Sequence, residues 1–163
     1  MKKVIIPTDF SIKSLQLIAH VAQFYPDELT DVLLVYGYRI SDIDDKLSHS
    51  SSSQIIRKLA DGDFLEAKAD MQKKFCLNIN SIHLDVFTGT NSFAFQNYRD
   101  SHQIHDAIIP NKGFLKFSGS SCFDPSKYIS KNIATVCNVN LANDFEPKKK
   151  QRSKSFIKNL LKR

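Results

Sequence analysis

Two imidazoles stand three residues apart in His102-Gln103-Ile104-His105, a spacing that suits a metal ion on one helix face, and His83 is a third candidate. The pair straddles an expected helix end and strand start, with no cysteine or carboxylate set around it. No metal is expected there. Asp42, Asp44 and Asp45 could attract a hard cation, but they lack calcium-loop spacing and read as a solvated loop. Cys76, Cys122 and Cys137 are odd in number and carry no C-x-x-C pair, which points to a reducing compartment, the cytosol by default. Cys122, beside Ser118, Gly119, Ser120 and Ser121, is expected to be the most exposed thiol. No G-x-S-x-G elbow is present, so no catalytic nucleophile is assigned.

The elements that position these residues follow from the apolar pattern. Short continuous runs at 3–7, 32–38, 82–87, 107–110 and 135–141 alternate with helical periods, which is how parallel strands buried on both faces read. Ser11 can cap a helix carrying Leu15, Ile18, Ala19 and Ala22 on one stripe. Phe64, Ala67, Met71 and Phe75 make a second stripe, with Gly62 a candidate break before it. A third helix is expected from Asn91 or Ser92 through Phe93, Phe95 and Tyr98, and a short fourth after Asp124-Pro125 with Tyr128 and Ile129. The sum is an α/β domain with a parallel sheet and right-handed crossovers, whose ligands belong at the carboxyl ends of the strands.

The opening Lys3-Val4-Ile5-Ile6-Pro7-Thr8-Asp9-Phe10-Ser11, followed by the Leu15/Ala19 helix, resembles that of universal stress proteins. Asp31-Val32-Leu33-Leu34-Val35-Tyr36 is similar to their second strand, Thr88-Gly89-Thr90-Asn91 to the loop after the third, and His105-Asp106-Ala107-Ile108-Ile109 to the fourth. The resemblance spans roughly residues 2–141. It implies a five-stranded parallel sheet flanked by helices, Rossmann-like and of the adenine-nucleotide α-hydrolase type, and a cytoplasmic homodimer paired through its last strand. It also implies a role in stress response. Pro7, Thr8, Asp9, Val35 and Gly113 are the positions that would touch ATP or AMP. The family's phosphate loop, G-x-x-G-x9-G-[ST], uses glycines so that backbone N–H groups can approach phosphate oxygens.

Here Pro110-Asn111-Lys112-Gly113 takes the first position of that loop, and Phe123-Asp124 stands where Gly-Ser/Thr belongs. Gly119-Ser120 comes four residues too early to substitute. Proline has no N–H, phenylalanine is bulky and Asp124 repels phosphate, so the loop reads as degenerate and no cofactor is expected. Asp9 keeps two readings, a ribose or adenine acceptor and a helix-start cap, with the cap favoured. The expected function is a non-catalytic binding or signalling module. The alternative is an ATP or AMP binder with slow ATPase activity.

The charge of +6 is localised: residues 142–163 hold eight basic and two acidic groups, leaving fifteen of each before them. An α/β domain at 1–143 is therefore expected to be followed by a basic amphipathic helix at 144–163. Its apolar face would be Phe156, Ile157, Leu160 and Leu161, ringed by Lys154, Lys158, Lys162 and Arg163. That face could fold back on the domain or a dimer mate, rest on an anionic membrane surface, or bind an acidic protein. Nucleic acid is disfavoured because the domain itself is neutral.

Overall fold

The alternation expected of strands buried on both faces is what builds the core. Successive side chains of a strand point to opposite faces, so the runs Val4-Ile5-Ile6 and Val32-Leu33-Leu34-Val35 divide between two apolar clusters. Val4, Ile6, Val32, Leu34 and Ile108 face Leu17, Ile18 and Val21 and the fully buried Phe64. Ile5, Leu33, Val35, Ala107 and Ile109 face Phe95 and Ile129 on the other side. The computed structural model describes residues 1–40 and 52–141. The Asp42/Asp44/Asp45 loop, all of the serine-rich run but its last two residues, and the expected basic helix with Phe156, Ile157, Leu160 and Leu161 lie outside the described residues.

The elements run β1 (Lys2–Pro7), a 3-10 turn (Ile12–Leu15), α1 (Gln16–Phe24), β2 (Thr30–Tyr38), α2 (Ser52–Leu59), α3 (Gly62–Lys74), β3 (Ile79–Phe87), α4 (Ser92–His102), β4 (Asp106–Pro110), β5 (Cys122–Phe123), α5 (Ser126–Asn132) and β6 (Thr135–Val139). Five strands are parallel in the order β3-β2-β1-β4-β6. The expected parallel sheet with flanking helices is therefore present. A sixth, two-residue strand was not expected: β5 pairs antiparallel with the end of β2, Gly37 opposite Phe123 and Tyr38 opposite Cys122. Nothing in a dipeptide's pattern announces a strand, because pairing is decided by its partner.

Local signals behave as their chemistry requires. The Ser11 side chain accepts from Ser14 N–H and starts the 3-10 turn that leads into α1. Asp61 accepts from Phe64 N–H at 2.8 Å, so the break falls at Asp61 and Gly62 opens α3. Asn91 caps α4 through Ala94 N–H at 2.8 Å. Among the described residues no helix is long and apolar enough to cross a membrane.

Candidate functional site

The strand order reverses between β1 and β4, and the loops at the carboxyl ends of these two strands meet there. The loop after β1 is held by its own side chains. Thr8, fully buried, donates its N–H to the Val35 carbonyl at 2.8 Å, and its hydroxyl accepts from Phe10 N–H at 3.0 Å. That bond fits Phe10 into the left-handed region at φ 60°, where a bulky residue is strained. The strain is offset by packing: the Phe10 ring lies 5.0 Å from Tyr36 and 5.5 Å from Phe64, and the residue is 7% exposed.

Asp9 is the hub of this region. Its Oδ1 accepts from the Ser11 N–H at 3.0 Å and from the Ser11 hydroxyl at 2.5 Å. Its Oδ2 accepts from Lys116 N–H at 2.9 Å, a bond spanning 107 residues of sequence. The carboxylate thus organises the turn before the helix and also anchors the loop that follows β4.

That loop, residues 111–123, is a strap. Asn111 N–H bonds the Val139 carbonyl at 2.8 Å and its side chain accepts from Leu141 N–H, which fixes the strap's root to the end of β6. Gly113 sits at φ 88° in a turn closed from Phe114 N–H to the Asn111 carbonyl, the third position of a type II turn that needs glycine. Phe114 and Leu115 are buried, and Phe117 lies 5.5 Å from the Tyr36 ring. The chain then passes over the end of β1 to reach β2, two strands away, where the Ser121 carbonyl accepts from Arg39 N–H and β5 pairs. A Cβ on Gly37 would stand 2.3 Å from the Phe123 carbonyl oxygen, so only glycine lets the strap seat here. Phe123 closes the strap by packing 6.1 Å from Phe87 and 6.0 Å from Tyr128.

Two cavities flank the strap. One, of about 420 Å³, is walled by Phe10, Tyr36, Phe114 and Leu59, with Asp9, Ser11, Lys13 and Lys116 as its polar members. The other, about 490 Å³, lies between the end of β4 and α5, against Pro110, Lys112, Asp124, Ser126 and Lys127. Of the five residues singled out in the sequence, Asp9 alone lines the first cavity. Pro7 ends β1, Thr8 braces the turn, and Gly113 makes the strap's turn. Val35 contributes its carbonyl to Thr8, while its side chain packs with Phe87 and Phe95 on the opposite face. Phe114, Phe117 and Lys116 went unnoticed in the sequence. Their one signal was phenylalanine recurring within a Ser- and Gly-rich loop.

The other groups weighed in the sequence are dispersed. His102 Nε2 meets Asp85 at 2.9 Å, and Tyr98 donates its hydroxyl to the same carboxylate at 2.8 Å. His105 Nδ1 instead accepts Lys3 N–H at 3.2 Å. Among the described residues no three His, Cys, Asp or Glu side chains converge as a metal site. The expectation that Cys122 is the most exposed thiol is corrected: Cys76 is exposed, whereas Cys122 is half-buried because β5 docks on β2. The Cys122 thiol donates to the Ser118 carbonyl at 3.3 Å.

No protein-family model matches the chain, and no curated protein matches it. Solved structures do. Hypothetical protein MJ0577 superposes with a TM-score of 0.54 at 16% identity, over 88% of this chain and 98% of that one. A universal stress protein family member from Burkholderia pseudomallei gives 0.51 at 6% identity, over 85% and 95%. A universal stress protein family protein from Arabidopsis thaliana, with AMP bound, gives 0.50 at 12% identity, over 90% and 96%. The chain has the α/β fold of these solved structures, two of which are universal stress protein family members.

Proposed function

We propose that this protein is a universal-stress-like, non-catalytic binding or signalling module of the cytoplasm, in which the phosphate-binding loop has been replaced by a strap. The observation that carries this reading is the Asp9 carboxylate, with Oδ1 taken by Ser11 and Oδ2 by the strap's own Lys116 N–H. Three protein donors already sit on this carboxylate, which leaves a nucleotide's hydroxyl or amino group at most one acceptor position, on Oδ2. Pro110 and Asp124 add their part, because proline has no N–H to offer a phosphate and the Asp124 carboxylate repels one.

The second reading, an adenine-nucleotide binder with slow ATPase activity, is favoured by the AMP held on the same fold in the Arabidopsis protein. Calorimetric titration with ATP and AMP separates the two. No binding is expected at micromolar nucleotide, and micromolar affinity would overturn the first reading. Gly37→Val sharpens the result, since its side chain drives Phe123 off β2. If the loop no longer makes a phosphate cradle, loosening it leaves nucleotide binding absent; if the strap merely covers a working cradle, binding appears.

The reading includes a homodimer formed along the outer edge of β6, the terminal strand of the sheet. Among the described residues no further strand pairs with β6, and such an edge is a template for pairing, although the exposed Asn138 makes this one polar. Light scattering on the full chain is expected to give twice the monomer mass; a monomer at all concentrations would remove this part.

A further inference from the structure

The sheet ends on β3 at one side and on β6 at the other. An end strand presents a row of N–H and C=O groups that a second chain can pair with, so the cover over each end decides where copies of the chain can meet. On β3 that row follows from the register. Val35 gives its carbonyl to Thr8 on the β1 side, so in a parallel ladder Val32, Leu34 and Tyr36 turn theirs toward β3, and their partners Ile82, Leu84 and Val86 turn away from β2. Asn80, two residues before Ile82, projects from the same side. Two of these outward carbonyls are taken by side chains of α3: Lys68 Nζ donates to Ile82 at 3.2 Å, and Gln72 Nε2 donates to Asn80 at 3.3 Å. The match is one of pitch. Four helical residues rise about 6 Å and two strand residues about 6.6 Å, so donors one turn apart on α3 land on successive outward carbonyls of β3.

An N–H arriving from another strand would need the same positions, about 2.9 Å from each carbonyl oxygen. It would have to displace both donors and seal the half-buried Lys68 ammonium away from water. Among the described residues no carboxylate pairs with that ammonium, and burial already pushes its pKa down, so deeper burial is opposed. We propose that Lys68 and Gln72 guard the β3 edge, keeping a second copy of this chain from extending the sheet there. The guard goes beyond the binding-module reading and does not depend on the β6 dimer, because each end of the sheet is covered by different residues.

The test compares full-length chains by light scattering. Lys68→Ala/Gln72→Ala frees both carbonyls and removes the charge, and its weight-average mass should exceed that of the unsubstituted chain by about twofold or more, growing with concentration. Hydrogen exchange should then show the outward N–H groups of Ile82 and Leu84 slowed in the associated form. Lys73→Ala removes the same charge from an exposed position on α3 and should leave the mass unchanged. A folded double variant with the mass of the unsubstituted chain overturns the proposal, as does association without slowed exchange at Ile82 and Leu84, or equal association by Lys73→Ala. Should the double variant lose its circular dichroism, Gln72→Ala carries the test: alanine suits this half-buried helix position, a smaller rise is expected, and an unchanged mass overturns the guard. The starting mass keeps the two readings apart, since a monomeric unsubstituted chain removes the β6 pairing and the guard is then read as monomer going to dimer.

Discussion

Raising the pH above about 10 is expected to destabilise the protein progressively. Burial raises the phenol of Tyr25, helped by its hydrogen bond to Asp106. Burial likewise raises Tyr36, with the Cys122 thiol adding to it, and Tyr98, with the Asp85 charge adding to it. Each phenol keeps its proton in the fold after its unfolded counterpart has released one near pH 10. The unfolded chain therefore binds fewer protons, and stability is full below pH 10 and falls as pH rises toward the folded values. Each phenol contributes at most about 1.4 kcal/mol per pH unit, and less where its ring is partly reached by solvent, so the three together lower stability by about a few kcal/mol. Against a typical stability of roughly 5–15 kcal/mol, such a loss is large enough to measure. Lys68, whose ammonium burial pushes down, acts with the opposite sign, but it is one group against three. Tyrosinate absorbance and far-ultraviolet circular dichroism recorded together check this. Ionisation and unfolding should coincide for these three phenols, and free titration near pH 10 in an intact fold would contradict the packing described.

Phe10→Ala is expected to destabilise the protein by about 3–5 kcal/mol, the usual effect of emptying a large aromatic site. The ring joins Tyr36, Phe64 and the β1 turn, and it also forms one wall of the cavity beside Asp9. Alanine keeps the strained left-handed backbone and loses the contacts that offset it. A drop in melting temperature of roughly 10 °C should result for a chain of this size. A change within about 1 kcal/mol would mean that the turn is held by Thr8, Asp9 and Ser11 alone.

Elements with a periodic or capping signal were legible in the chain. Val4-Ile5-Ile6 and Val32-Leu33-Leu34-Val35 are apolar at every position because both faces of their strands are covered, and no other arrangement buries such runs as well. Ser11 and Asn91 bear side-chain acceptors that serve local N–H groups within three residues, so these two starts are encoded next to where they occur, whereas the cap at Asp61 showed only as a break at Gly62. The resemblance to universal stress proteins pointed to the same parallel sheet flanked by helices.

The strap was not legible. Whether Pro110, Phe123 and Asp124 mark an open, degenerate loop or a packed one depends on Lys116 N–H reaching Asp9 across 107 residues and on Phe123 reaching Gly37 across 86. Cys122 shows the same limit, since its serine neighbours suggested exposure and its partner strand removed it. By itself, then, the sequence determined the layers and the helix starts at Ser11 and Asn91, because each is written in local spacing. Only the tertiary structure decided that the loop packs back onto β2 and that Asp9 serves the protein's own backbone. Those outcomes depend on pairings between distant segments, and no local pattern carries the identity of a distant partner.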